Sequence, residues 1–158
     1  MASSDTCDVL IVEDDLFQSN EMGQFLARAG LSVKTAYDLD SAVIQAVSFS
    51  PCVALIDYNL PGTNGLTIAT QLRTILPDVS MIMMSGDIDG VPETTLRTVG
   101  VKVFVNKPIP LRPLRDAVLK LVRLAPPCNR AMPHTVGPVM GSSETPSGDG
   151  PGICARHC

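Results

Sequence analysis

Near the middle of the chain runs Val53-Ala54-Leu55-Ile56-Asp57-Tyr58-Asn59-Leu60-Pro61-Gly62. Its four successive apolar residues, fenced by Pro51 on one side and by Pro61-Gly62 on the other, are too few for a helix and fit a buried strand. An acid, Asp57, follows that strand at once. Working outward, similar short runs recur at Val33 to Ala36 and Val9 to Val12 on one side, and at Met81 to Met84 and Val101 to Val105 on the other. Between them lie segments of helical periodicity: Leu16 to Ala29, Leu39 to Val47, Leu66 to Ile75, Glu93 to Val99 and Leu114 to Leu124. Gly30 and Gly100 stop the first and fourth, Asp38 opens the second, and Pro113 suits the first turn of the fifth, where no backbone donor is needed.

Strands alternating with helices predict an α/β fold of flavodoxin-like type, a five-stranded parallel sheet with five helices on both faces. Ligands of such sheets bind beyond the carboxyl ends of the strands, so reactive residues should stand just after them. The first strand is followed by Glu13, Asp14 and Asp15, and the third by Asp57. The fourth delivers Ser85 and Gly86, and the fifth Asn106, Lys107 and Pro108. Carboxylates about 4 Å apart repel by a few kcal/mol, so the acids require a counter-charge. A hard divalent cation such as Mg2+, held by carboxylates and phosphate oxygens, supplies it. Lys107 adds a point charge and Ser85 a donor, which is equipment for phosphoryl transfer. Asp57 is the natural nucleophile, since a carboxylate forms an acyl phosphate without a general base.

Four motifs in order, Val12-Glu13-Asp14-Asp15, Asp57 through Gly65, Met84-Ser85-Gly86 and Asn106-Lys107-Pro108, make residues 8 to 124 resemble a response-regulator receiver domain, the CheY-like module of two-component signalling. The resemblance implies phosphorylation of Asp57 by a sensor histidine kinase or phosphotransfer protein. It implies Mg2+ on Asp14, Asp57 and the backbone carbonyl of Asn59, with Glu13 acting through water. It further implies that Ser85 and Lys107 bind phosphoryl oxygens, that the Lys107-Pro108 peptide is cis, and that Phe104 stands where the family keeps a rotameric aromatic. Pro61, Gly65, Gly86 and Pro108 shape the surrounding loops. The output is then a protein contact on the face of the fourth helix, fifth strand and fifth helix, the chain being a regulator, not an enzyme, and a monomer or weak homodimer. The departures are Ser85 in place of the commoner Thr and a Phe104 without a hydroxyl.

Two rivals share parts of this equipment. A phosphohydrolase of the haloacid-dehalogenase type wants a second Asp two positions after the nucleophile, where this chain has Asn59. A pseudo-receiver that no longer accepts phosphate would not need the full acidic cluster with Lys107. Plainer roles suit other residues: Asp15 as a charge favoured at a helix start, Asn64 and Gly65 as a turn, and Met81, Met83 and Met84 as core filling. The zinc-type residues Cys128, His134, Cys154, His157 and Cys158 are irregularly spaced, which argues against a metal site there.

Composition bounds the rest. Forty-five per cent hydrophobic with 18% charged residues fits a globular domain, and a net charge of -4 argues against direct DNA binding. Residues 1–7 are expected to be a short extension, 8–125 the receiver domain, and 126–158, rich in Pro and Gly, a disordered tail. No basic flank with an apolar run opens the chain, no run reaches the roughly 18 residues of a membrane span, and five irregularly placed cysteines suit a reducing compartment. The expected location is the cytoplasm.

Overall fold

The three central apolar runs are buried on both faces, and the two outer ones pair with them as partly exposed edge strands. The structure, a computed structural model, describes residues 7–87 and 90–126. The main strands are β1 (Val9–Val12), β2 (Val33–Ala36), β3 (Val53–Asp57), β6 (Ser80–Ser85) and β7 (Val101–Asn106), joined in the order β2-β1-β3-β6-β7 with every pair parallel. Strands β4 (Asn59–Leu60) and β5 (Thr63–Asn64) form a small antiparallel hairpin apart from the sheet. The helices are α1 (Leu16–Arg28), α2 (Leu39–Phe49), α3 (Gly65–Ile75), α4 (Glu93–Thr98) and α5 (Leu111–Leu124). The five-stranded sheet and five helices expected from the alternation are all present.

Alternation within each strand divides the interior in two. Leu10, Val12, Ala54, Ile56, Met81 and Met83 point to the core shared with α2 and α3, while Val9, Ile11, Val53, Leu55, Ile82 and Met84 point to the core shared with α1 and α5. The methionines of β6 are fully buried on both faces, which is the core-filling role expected of them. Cys7, placed by the sequence in a leading extension, is also buried, and its thiol donates to the Val9 carbonyl oxygen at 3.0 Å.

Several boundaries differ from the sequence reading, each for a local reason. Strands β3, β6 and β7 run on through Asp57, Ser85 and Asn106, so these residues belong to the strand ends instead of following them. Helix α2 continues past Val47 to Phe49 and stops on Ser50, a non-glycine residue in the left-handed region at φ 45°, before Pro51. Helix α5 begins at Leu111, with Pro113 in its first turn as expected. The segment beyond residue 126, with its cysteines and histidines, and Met1 to Thr6 lie outside the described residues.

Candidate functional site

The strand order reverses direction between β1 and β3, and a crevice at the carboxyl ends of the strands is the place where such sheets bind ligands. Glu13 leaves β1 and Asp57 ends β3, side by side because Val12 and Ile56 are register partners. Glu13 is 1% exposed and Asp57 4%. Two buried carboxylates so close require a cation, and Lys107, from just beyond β7, provides it. Its Nζ donates to Glu13 Oε2 and to Asp57 Oδ2, each at 2.9 Å. The Lys107 backbone N–H donates to the Ser85 carbonyl at 2.9 Å, which fixes the strand end from which the side chain reaches. The Lys107-Pro108 peptide is cis, as the motif implied.

Burial pushes the Glu13 carboxyl up to about 7; the Lys107 hydrogen bond opposes that shift and the Asp57 carboxylate reinforces it. For Lys107, partial burial acts downward, but the bonds to Glu13 and Asp57 outweigh it and the ammonium stays charged to higher pH than usual. Asp15, by contrast, is the helix-start charge expected: it caps α1, its carboxylate accepting from the backbone N–H groups of Phe17 (3.0 Å) and Gln18 (3.2 Å).

One oxygen from each of Glu13, Asp14 and Asp57 can lie within 4.8 Å of the others. Asp14 is exposed while the other two are buried, so the cluster opens to water on one side only. Lys107 compensates one face of it. Three converging oxygen donors with an open side fit a hard divalent cation that retains waters, and among the described residues the cluster is made of carboxylates alone, a donor set that fits Mg2+ better than a softer metal.

The other expected residues surround this centre. The Asn59 N–H donates to Asp57 Oδ1 at 3.1 Å, steadying the carboxylate. Ser85 is fully buried at the neighbouring strand end, with its hydroxyl donating to the Asp87 carbonyl (2.9 Å) and accepting from the Asp87 N–H (3.2 Å). Phe104 pairs in register with Met83 and packs, half-buried, on the α2 and α3 side core. Gly86 and Pro61 are exposed in the adjoining loops. Gly65 does more than turn the chain. A β-carbon there would fall 2.7 Å from both the Asp57 carbonyl oxygen and Met83 Sδ, so only glycine lets α3 start this close to the Asp57 backbone. Its position after the cap Asn64, which accepts from the Thr67 N–H at 2.9 Å, was the available sign, but the close approach involves residues no local pattern reveals.

Comparison with known proteins agrees with this geometry. A family model described as "Response regulator receiver domain" matches residues 9–119. A cyclic di-GMP phosphodiesterase of Thermotoga maritima is 30% identical over 115 residues, covering 73% of this chain and 31% of that protein. The TorCAD operon transcriptional regulatory protein TorR of Escherichia coli is 28% identical over 129 residues, covering 80% of this chain and 55% of that protein. This chain thus spans a third to about half of those longer relatives. Among solved structures, a CheY-like receiver domain protein from Methanospirillum hungatei superposes with a TM-score of 0.70 at 21% identity, covering 75% of this chain and 95% of the other.

Proposed function

The chain belongs to the response regulator receiver family of two-component signalling, and from that premise we propose that it is a phosphoacceptor switch, phosphorylated on Asp57 from the phosphohistidine of a sensor kinase or phosphotransfer protein. The observation that carries the proposal is the ion triad at the strand ends, in which Lys107 bridges Glu13 and Asp57 at 2.9 Å each beside the exposed Asp14. A carboxylate held in that way is oriented, buried and accessible from one side.

In the reaction, an Asp57 carboxylate oxygen attacks phosphorus and a new P–O bond forms. The P–N bond to the donor histidine breaks, its electron pair stays on the imidazole nitrogen, and that nitrogen takes a proton from solvent. Lys107 then faces added negative charge on the phosphoryl oxygens, and the Ser85 hydroxyl exchanges its Asp87 contacts for one of them. Asp14, Asp57 and the Asn59 carbonyl are the residues to hold Mg2+, with Glu13 behind a water, and the ion would neutralise phosphoryl charge. The Asn59 side chain is an amide and has no proton to give a leaving group, which disfavours the phosphohydrolase reading.

The chain then acts as a cytoplasmic regulator whose output is a protein contact. A groove of about 440 Å3 between α4 and β7, lined by Leu96, Arg97 and Phe104, is suited to that contact. Incubation with acetyl phosphate and Mg2+ tests the assignment: intact mass should gain one labile phosphoryl group that Asp57→Asn abolishes. Labelling of Asp57→Asn at the wild-type level would defeat it, and steady turnover of a phosphate ester would favour the hydrolase instead.

A further inference from the structure

The opposite end of the sheet has its own charged cavity, which phosphorylation at Asp57 does not use. It measures about 460 Å3 and opens at the amino ends of β6 and β7, between the last turns of α3, α4 and α5. Arg73, Arg97 and Lys102 line it, against one acid among the described residues, Asp78. In a chain of net charge -4 that concentration runs against the average.

Three separate elements deliver these cations, and two use backbone irregularities to do so. Gly100 ends α4 at φ 91°, and the Arg73 guanidinium lies where any β-carbon at that position would stand. Between β6 and β7 the register slips, Met81 pairing with Val101 and Ile82 with Val103, so Lys102 is an extra residue without a strand partner. Such bulges re-aim a side chain. Arg97 pairs with Glu93, whereas among the described residues Arg73 and Lys102 are in no ion pair. With Glu93 committed to Arg97, Asp78 is left facing both Arg73 and Lys102, and an anion between those two cations relieves their repulsion.

The walls narrow the class of anion. Ser80, 8% exposed, lines the cavity with a hydroxyl-bearing side chain, and Leu121 and Val101 supply an apolar side. Among the described residues no aromatic ring lines it, so a nucleobase would find none of them to stack on. We infer that this cavity binds a small organic polyanion, a polycarboxylate or phosphate ester, whose charged groups meet Arg73, Arg97 and Lys102 while its carbon skeleton rests on Leu121 and Val101. The volume falls in the range of small-molecule sites, and the two arginines can each engage carboxylate or phosphate through two N–H groups.

The test is an amide chemical-shift titration of the full 15N-labelled chain, freed of divalent cations on a chelating resin and held in chloride buffer, with citrate, phenyl phosphate and inorganic phosphate as separate arms. Citrate or phenyl phosphate should produce saturable shifts at Ser80, Gly100 and Lys102, at concentrations about tenfold below those inorganic phosphate requires, because only the former reach the apolar wall. The arm that saturates first assigns the carboxylate or the phosphate class. Arg73→Gln and Lys102→Gln, both at exposed positions, should each weaken binding about tenfold. Three outcomes would overturn the inference: shifts that never saturate in any arm, affinity unchanged in both variants, or shifts confined to Glu13, Asp57 and Lys107 at the other end of the sheet.

Discussion

Three successive acids leave β1 and meet three environments: Glu13 is buried against Lys107, Asp14 faces solvent beside Asp57, and Asp15 caps α1. Their substitutions should therefore separate. Asp14→Ala is expected to lower Mg2+ affinity by more than about tenfold, as the loss of a direct ligand should exceed the loss of an outer-shell partner. Asp15→Ala should leave that affinity near wild type and cost only thermal stability, through the lost cap. Calorimetric Mg2+ titration of both variants distinguishes them, and equal losses would mean that the ligand is misassigned. Glu13 gives a pH signature in protein free of divalent cations. Its folded pKa, about 7, lies above the unfolded value near 4.5. Folding then takes up a proton between those values, so this group's contribution is fully present below about pH 4.5 and is lost as pH rises through 7. Glu13→Gln removes the titration. Urea unfolding at pH 5 and pH 8 should show the stability of Glu13→Gln relative to wild type rising with pH. The sequence could place these three acids at a strand end and mark Asp15 as the helix-start charge, but not show Glu13 buried in an ion pair, since its partner is a lysine 94 residues away.

Among the elements, those with a periodic pattern were readable and those made by tertiary contact were not. Strands β1 and β2 have the bounds their apolar runs predict. The β4 and β5 hairpin was not foreseen, because two-residue strands have no periodicity and Pro61-Gly62 reads equally as an open loop. The length of α2 was underestimated for a related reason: its stop is Ser50 in a left-handed conformation, where sequence reasoning looks for glycine. The start of α3 carries a sharper consequence. Gly65→Ala forces a β-carbon against the Asp57 carbonyl and Met83, and overpacking of this kind costs about 1–3 kcal/mol. Urea unfolding should register that loss, and phosphorylation by acetyl phosphate should slow as β3 and α3 are pushed apart. Helix α4 is the shortest helix among the described residues, six residues with no side-chain cap and one buried residue, Leu96. Elements of low local stability are those a ligand can bias by a few kcal/mol. Phe104, packed half-buried at the edge of the same core as Leu96, is the residue through which Ser85 movement would reach α4. Amide shifts with beryllofluoride should change through α4 in wild type and in Phe104→Tyr, but not in Phe104→Ala. Unchanged α4 shifts in wild type, with the mimic bound, would rule out the route.

At the scale of the molecule, the alternation of strand and helix dictated a parallel sheet with helices on both faces, and a sheet so covered needs two cores. Both are built from residues between Val9 and Ala125. The last helix closes the second of them with Leu114, Val118, Leu121 and Val122, and the Ala125 N–H returns to the Val122 carbonyl to finish it. Among the described residues, the elements that supply the acidic cluster, the lysine and the packing beneath them end at Leu124. The sequence beyond, with Pro127, Pro133, Pro138, Pro146 and Pro151 among its residues, has a composition unsuited to further core. A chain ended after Pro126 should therefore melt within about 4 °C of the full chain, the shift that about 1 kcal/mol produces in a domain of this size. It should also accept phosphate on Asp57 at an unchanged rate. Differential scanning calorimetry of the two chains, with and without Mg2+, makes the comparison. A fall of many degrees would mean that residues after 126 pack on the domain, and its reversal by added zinc would bring Cys128, His134, Cys154, His157 and Cys158 back as ligands.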